Sequence, residues 1–414
     1  MTNDGSNDFK HNHYVPEWYQ RRFMRPDQGK YWYLDLRPEI VIKNGHRYPR
    51  KDLLNWGAGS CFAEHDLYTT KWGSEENVEI EKLFFGKIDA EGKSAVERYS
   101  DFKFDTRGLD EGFQRLVPYM SVQKLRTPKG LGLLSSLPAG KNRNSRLMLL
   151  QAIKNMFSAM WTDCVWQIAD ATQSPTKFII SDHPVTVYNR ACFPGSRWCL
   201  GFNDPDIRWV GTHTYFPLSI DKILIMTNLS WVRNPYQSER NPHPNQVFFH
   251  DTMFKLTDIQ CFRSLSEEEV REINYITKKR ALRYVAAAEK EWLYPEKYLR
   301  STHWNKLGNG FLLMPEPREI HMGGEILIGY KGGGSEAWNE YGHRPWQRGY
   351  KDEKRNAEES RTLARFQAEW AVMQGPVYRG TSNQFARDVE GPYVESAETH
   401  QYYLKRARRH MRPK

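Results

Sequence analysis

Residues 177–187 read Lys-Phe-Ile-Ile-Ser-Asp-His-Pro-Val-Thr-Val. The pattern predicts a buried strand, rich in β-branched and aromatic residues and interrupted at Ser181-Asp182. A polar pair inside such a run must be hydrogen-bonded or must face a cleft. Downstream the texture stays strand-like. Residues 214–218 and 222–227 predict two strands joined by the turn Ser219-Ile220-Asp221. A helix follows, announced by Ser266 and Glu269 as a capping box with Leu265 and Val270 at the staple positions. It is expected to run to about residue 289.

Upstream the chain is mostly helical in spacing. Residues 77–99 and 113–125 predict two helices, the second ended by Thr127-Pro128. Residues 147–171 predict the strongest helix of the first half, apolar on most sides and therefore buried. Earlier still, 13–24 predict a short helix entered through Pro16, 30–36 a strand, and 67–70 another short strand. Strands and helices occur without steady βα alternation. The expected fold is therefore α+β, with a mixed or antiparallel central sheet flanked by long helices. Residues 10–292 form the expected domain. Residues 293–414 are expected to be a helical, loop-rich extension, with a helix over 352–374.

Composition bounds the function. The chain has 414 residues, 60 Lys and Arg against 50 Asp and Glu, a net charge of +10, and 14% aromatic residues. This describes a folded chain rather than a disordered one. No apolar run approaches a membrane span, and no membrane partner is expected. Residues 1–8 resemble neither a secretory signal nor a transit peptide. Five scattered cysteines show no paired spacing, so a reduced, cytoplasmic protein is expected. The charge excess is uneven. Lys405, Arg406, Arg408, Arg409, Arg412 and Lys414 fall in the last ten positions without an acid.

Several segments carry a family resemblance. His13-Tyr14-Val15-Pro16 with Tyr19 and Phe23 is similar to the opening of the microbial domain-of-unknown-function family four-two-three-eight. Leu67-Tyr68-Thr69, Ile80-Glu81, 123–128 (Gln-Lys-Leu-Arg-Thr-Pro), 178–185, 216–219, and Asn274 with Ala281 and Tyr284 resemble its further motifs in order. The likeness covers roughly the first 285 residues. Gln20 stands where the family usually has leucine, and Asp89 where it often has glutamate. The family is uncharacterised, so the resemblance implies no established catalytic residue.

The candidate chemistry comes from polar residues within those motifs. His13, Glu81 and Asp182 are the expected catalytic groups, with Glu81 and Asp182 holding a divalent metal ion (Mg or Mn) that activates water. His11 and His13 would share one face of a strand; alternatively, His13 hydrogen-bonds at the head of a helix. Asp182 is a general base or ligand, or else it closes a turn before Pro184. Glu81 points inward, or lies on a solvated face. Gln123 and Arg126, one helical turn apart, would hold a phosphate, or Arg126 pairs with Asp182 or Glu81. Lys405, Arg406, Arg408 and Arg409 would track a nucleic-acid backbone, unless the tail is simply solvated. No phosphate-binding Gly-rich loop, nucleophile elbow or His-Glu-x-x-His is present. The leading expectation is a cytoplasmic, metal-dependent hydrolase acting on nucleic acid, nuclease-like. The alternatives are a non-enzymatic nucleic-acid-binding protein and an assembly protein whose motifs only direct folding.

Overall fold

The computed structural model describes residues 11–43, 45–72, 75–77, 79–101, 106–162, 164–209, 211–228, 260–308, 325–339, 343–358, 361, 378–379, 393–394 and 397–410. Strand β1 (His11–His13) and helix α1 (Glu17–Arg21) open the chain. Strands β2 (Tyr31–Asp35), β3 (Ile40–Lys43), β4 (His46–Pro49), β5 (Leu53–Trp56), β6 (Ala63–His65), β7 (Thr70–Trp72) and β8 (Glu75–Asn77) follow. A π-helical turn (Ile80–Phe85) leads into α2 (Gly86–Ser100), then α3 (Thr106–Arg126), α4 (Pro128–Ser135), α5 (Arg143–Ala152) and α6 (Met156–Thr162). The second half contains β9 (Cys164–Asp170), β10 (Ile180–Ser181), β11 (Thr186–Asn189), β12 (Thr212–Pro217), β13 (Lys222–Asn228), β14 (Gln260–Ser264), α7 (Glu267–Arg280) and β15 (Tyr284–Ala287).

Two sheets organise these elements into an α+β fold. One has five strands in the order β11-β12-β13-β9-β14, and the other four in the order β10-β15-β2-β5. All pairs are antiparallel except β14 with β9, so the larger sheet is mixed. The interruption at Ser181-Asp182 now has a structural meaning. Ile180-Ser181 belongs to the four-stranded sheet and Thr186–Asn189 to the five-stranded one, so 182–185 carry the chain from one sheet to the other.

The expected strands at 30–36, 214–218 and 222–227 are present as β2, β12 and β13, and the capping box opens α7 as read. The strand expected over 67–70 begins only at Thr70, as β7, because 66–68 form a turn. Two longer elements are also corrected. The single helix over 147–171 is two helices, α5 and α6, followed by strand β9. Cys164, Trp166, Gln167, Ile168 and Ala169 are all buried, so the strand lacks the alternation that distinguishes a strand from a buried helix. Helix α7 stops at Arg280 rather than near residue 289. Ala281 leaves the helix at φ −58°, ψ 148°, and Tyr-Val-Ala-Ala pairs between β10 and β2. Sheet completion outweighs local helix propensity here.

Aromatic side chains fill the core, as their motif positions suggest. Tyr14, Tyr19, Phe23, Tyr68, Phe178 and Phe216 are all buried. Tyr19 stacks on Phe216 with ring centroids 5.4 Å apart, and its hydroxyl donates to the Pro217 carbonyl. Gln20 is also buried and fully employed. It donates to Val15 O (2.7 Å) and Cys61 O (3.1 Å) and accepts from the Tyr31 hydroxyl (2.6 Å).

Packing continues past the division expected at 292/293. Trp304 and Leu307 are buried in the main core, the Tyr188 hydroxyl donates to Trp304 O (2.7 Å), and Trp304 Nε1 donates to Asn189 O (2.9 Å). Beyond it lie the hairpin β16 (Glu325–Gly329) and β17 (Ser335–Asn339), the short pair β18 (Tyr378–Arg379) and β19 (Tyr393–Val394), and helix α8 (Ala397–His410). The helix expected over 352–374 is described at 353–358 and at 361. Arg412 and Lys414 lie outside the described residues. Among the described residues, no helix is long and apolar enough to cross a membrane.

Candidate functional site

Asp182 sits at the crossing between the sheets. Its Oδ1 accepts from Leu282 N (2.9 Å), and its Oδ2 from Arg283 N (2.6 Å) and Tyr284 N (2.8 Å). These amides form the turn from α7 into β15. Burial pushes the carboxyl up, while the three amides and Lys129 pull it down. A carboxylate engaged in this way has little capacity left for a metal ion or a substrate proton. The turn-closing alternative describes what it does, across the sheets rather than within its own loop.

His13 lies elsewhere, on β1. His11 and His13 do share one face. Each Nε2 lies 3.3 Å from the Gly59 carbonyl, and Glu17 Oε1 is 3.8 Å from His13 Nε2. Burial pushes the His13 imidazole down, partly countered by Glu17. Glu81 falls in the π-helical turn, and its side chain lies outside the described residues. Among the described residues, no three His, Cys, Asp or Glu side chains come together as a metal site. Among the described residues, His13 and Asp182 share no hydrogen-bond partner.

Gln123 and Arg126 face each other rather than a ligand. Arg126 Nε donates to Gln123 Oε1 (2.8 Å), and its Nη2 and Nη1 reach Asp89 Oδ1 (2.8 Å) and Oδ2 (3.0 Å). Gln123 Nε2 donates to Tyr14 O (2.8 Å), and the Tyr68 hydroxyl donates to Arg126 O (2.9 Å). Both side chains are completely buried. Arg126 has a carboxylate partner, as foreseen for it, and among the described residues that partner is Asp89 rather than Asp182. Its fork is already filled, which leaves no edge for a phosphate.

A different cluster has unspent charge. Lys124 stands in the last turn of α3, Lys129 in the first turn of α4, and Arg280 at the end of α7. His183 lies in the sheet crossing, and Asp204 in the irregular segment 190–209. Lys129 Nζ donates to Asp204 Oδ1 (2.7 Å) and Arg280 O (2.9 Å). Lys124 Nζ donates to Asp204 Oδ2 and lies 3.2 Å from His183 Nε2. Arg280 Nη2 is 3.2 Å from Asp204 Oδ1 without a well-aligned hydrogen bond, while its Nε donates to Val187 O (3.0 Å). His183 Nδ1 is 2.7 Å from Thr127 Oγ1, the N-cap oxygen of α4, which accepts from Gly130 N. The network assigns the Nδ1–H tautomer, with Nε2 accepting from Lys124.

Local sequence explains the assembly. A Cβ on Gly130 would stand 2.2 Å from the Lys124 carbonyl oxygen, so only glycine lets α4 start this close to the end of α3. That approach brings Lys124 and Lys129 to one carboxylate. Burial raises the Asp204 carboxyl, but Lys124, Lys129 and Arg280 outweigh it and hold the group well below the usual carboxylate range. Burial lowers both lysines, and Asp204 opposes this. Asp182 is the second acid near Lys129. Three cations thus stand against two carboxylates in a site closed to solvent, one of them already bound by amides.

The comparisons with known proteins bear on part of this site. Residues 139–291 match the family described as Protein of unknown function (DUF4238). This is the family that the sequence motifs resemble. The matched segment contains Asp182, His183, Asp204 and Arg280; the motifs around His13, Tyr68, Glu81 and Arg126 lie before it. No curated protein and no solved structure matches the chain.

Sequence reasoning passed over all five residues of the cluster. Lys124 and His183 sit inside quoted motifs, next to the residues singled out. One residue along a helix turns the side chain by about 100°, so Lys124 leaves the Gln123–Arg126 face and meets His183 instead. Asp204 has no sequence signal, since its partners are distant in the chain.

The site also predicts an acid response. Burial, with Lys124, pushes His183 down to about 3, and burial, with Arg190, does the same for His213. Both rings stay neutral in the folded chain, whereas the unfolded chain takes up protons below about 6.5. Their contribution is intact above that pH and is lost as pH falls toward 3. At pH 5 each neutral ring accounts for about 2 kcal/mol of lost stability. His213 faces Thr227 Oγ1 at 2.7 Å and the Tyr188 ring. His213→Gln should lose less stability than the wild type between pH 7 and pH 5 in urea unfolding. Buried acids with raised values, such as Glu272 and Asp89, have the opposite sign and cancel in the difference. Equal losses in both chains would contradict the assignment.

Proposed function

We propose that the protein binds phosphate groups of nucleic acid at the Lys124–Lys129–Arg280 cluster and acts on them as a hydrolase. The observation carrying this reading is the buried excess of cations around Asp204. An unneutralised buried charge is strongly disfavoured, and a phosphate is the anion that lysine and arginine forks accommodate. Hydrolysis goes beyond binding: water supplies the oxygen that bonds to phosphorus and gives up a proton to solvent, the bond from phosphorus to the leaving oxygen breaks, and Lys124 Nζ, held against His183 Nε2, is placed to give that oxygen a proton. The three cations around Asp204 do not fit the divalent ion, Mg or Mn, expected from the sequence.

Two further features support a nucleic-acid ligand. The segment bearing Asp204 also exposes Phe193, Trp198, Phe202 and Trp209. Arg197 lies over the Trp198 ring at 4.2 Å, and Trp198 meets Trp209 edge-on at 4.9 Å. Exposed aromatics beside a phosphate site are what base stacking uses. Lys405, Arg408 and Arg409 are exposed on α8, where they suit a phosphate backbone; the Arg406 side chain lies outside the described residues.

The test uses a labelled single-stranded oligonucleotide with Mg²⁺ or Mn²⁺. Wild type is expected to cleave it, with Lys124→Met reducing cleavage on the order of 100-fold. Methionine matches the lysine stem in volume and Asp204 keeps Lys129 and Arg280 as partners, so the fold should persist. Binding without cleavage would reduce the reading to a binding protein. If deleting 397–414 then abolished salt-dependent binding while Lys124→Met did not, the tail rather than the cluster would be the interface.

A further inference from the structure

Asp204 is carried by the irregular segment 190–209 and His183 by the short sheet crossing, whereas the three cations stand in helices α3, α4 and α7. Its two oxygens divide four groups between them: Lys129 and Arg280 at Oδ1, Lys124 and His183 at Oδ2. The match is incomplete. Arg280 Nη2 is buried, aimed at the carboxylate, and lacks a good hydrogen bond. One carboxylate offers a single charge and two oxygens in a plane. A phosphate offers more charge and a tetrahedral set of oxygens that reaches all three cations. The segment holding Asp204 in place presses Phe202 against α4, where a Cβ on Gly132 would stand 2.6 Å from the Phe202 ring. Leu200 and Phe193 are mostly exposed, and Trp198 is partly so.

We infer that Asp204 is a resident stand-in for the ligand's phosphate, and that segment 190–209 closes the site until a phosphate-bearing ligand displaces it. This inference rests on the phosphate reading above. It explains why the cations are buried although their ligand must enter from solvent: the cover is the competitor. It also places the exposed aromatics on the part that moves, beside the entering ligand. A closed state reduces apparent affinity by the fraction of molecules that are open.

The experiment measures inorganic phosphate binding to the full chain by calorimetry, at constant ionic strength set with chloride. Asp204→Asn keeps the shape and removes the competing charge, and should bind phosphate on the order of tenfold more tightly than the wild type. Its melting temperature should rise with phosphate more than that of the wild type. Gly132→Ala leaves every cluster residue in place but forces Phe202 away from α4, and should tighten binding in the same direction. If the wild type binds phosphate, Lys129→Met does not, and neither Asp204→Asn nor Gly132→Ala binds more tightly, Asp204 is a fixed ion-pair partner and the displacement is overturned while the phosphate site stands. If no form binds phosphate, both readings fall. Should Asp204→Asn not fold, Gly132→Ala decides alone.

Discussion

Asp182→Ala is expected to destabilise the fold by about 3–5 kcal/mol, because it strands three backbone N–H groups at the turn from α7 into β15. The melting temperature should fall by roughly 10 °C. Those amides lead into β15, which pairs with β10 and β2, so the four-stranded sheet loses its anchor to the sheet crossing. Asp182→Asn should fall between wild type and alanine, since the amide keeps one acceptor oxygen but turns a donor toward the other amides. Urea unfolding of the three chains checks the order. A catalytic Asp182 would behave differently: asparagine would abolish activity and leave the unfolding curve in place. That outcome would restore the role the sequence suggests.

The second large effect is at Arg126. Arg126→Met should cost about 3 kcal/mol by leaving Asp89 and Gln123 without their partner. Asp89 keeps a quarter of its side chain exposed, which moderates the loss. Asp89→Leu combined with Arg126→Met should recover much of it, because an apolar pair of similar volume replaces the buried ion pair. A double-mutant cycle therefore predicts strong coupling. Additive losses would mean that Arg126 acts through its guanidinium over the Phe85 ring, 5.4 Å from the centroid, rather than through its pairing with Asp89.

What was legible in the sequence was local. The capping box at Ser266 and Glu269 is a contact between residues three apart, and it forms as read. The turn 219–221 between β12 and β13 is equally local. Strand β9 was not legible, since it lies inside the five-stranded sheet with side chains on both faces buried, which erases the alternation. At the site, residue types were legible but pairings were not. Arg126 announces a carboxylate, yet whether Asp89, Asp182 or Glu81 answers depends on how α2 lies against α3. Asp182 announces a satisfied polar group, and its partners are about a hundred residues away. The cation cluster is the extreme case, because it exists only where three helices, a sheet crossing and an irregular segment meet.

The central claim is that the buried cations bind phosphate. The most direct measurement is calorimetric titration of the wild type and of Lys129→Met with a 5′-phosphorylated single-stranded oligonucleotide and its dephosphorylated form. The predicted result is tighter wild-type binding of the phosphorylated strand, with that preference lost in Lys129→Met while the circular dichroism is unchanged. Equal affinities for the two strands in the wild type, or an undiminished preference in Lys129→Met, would contradict it.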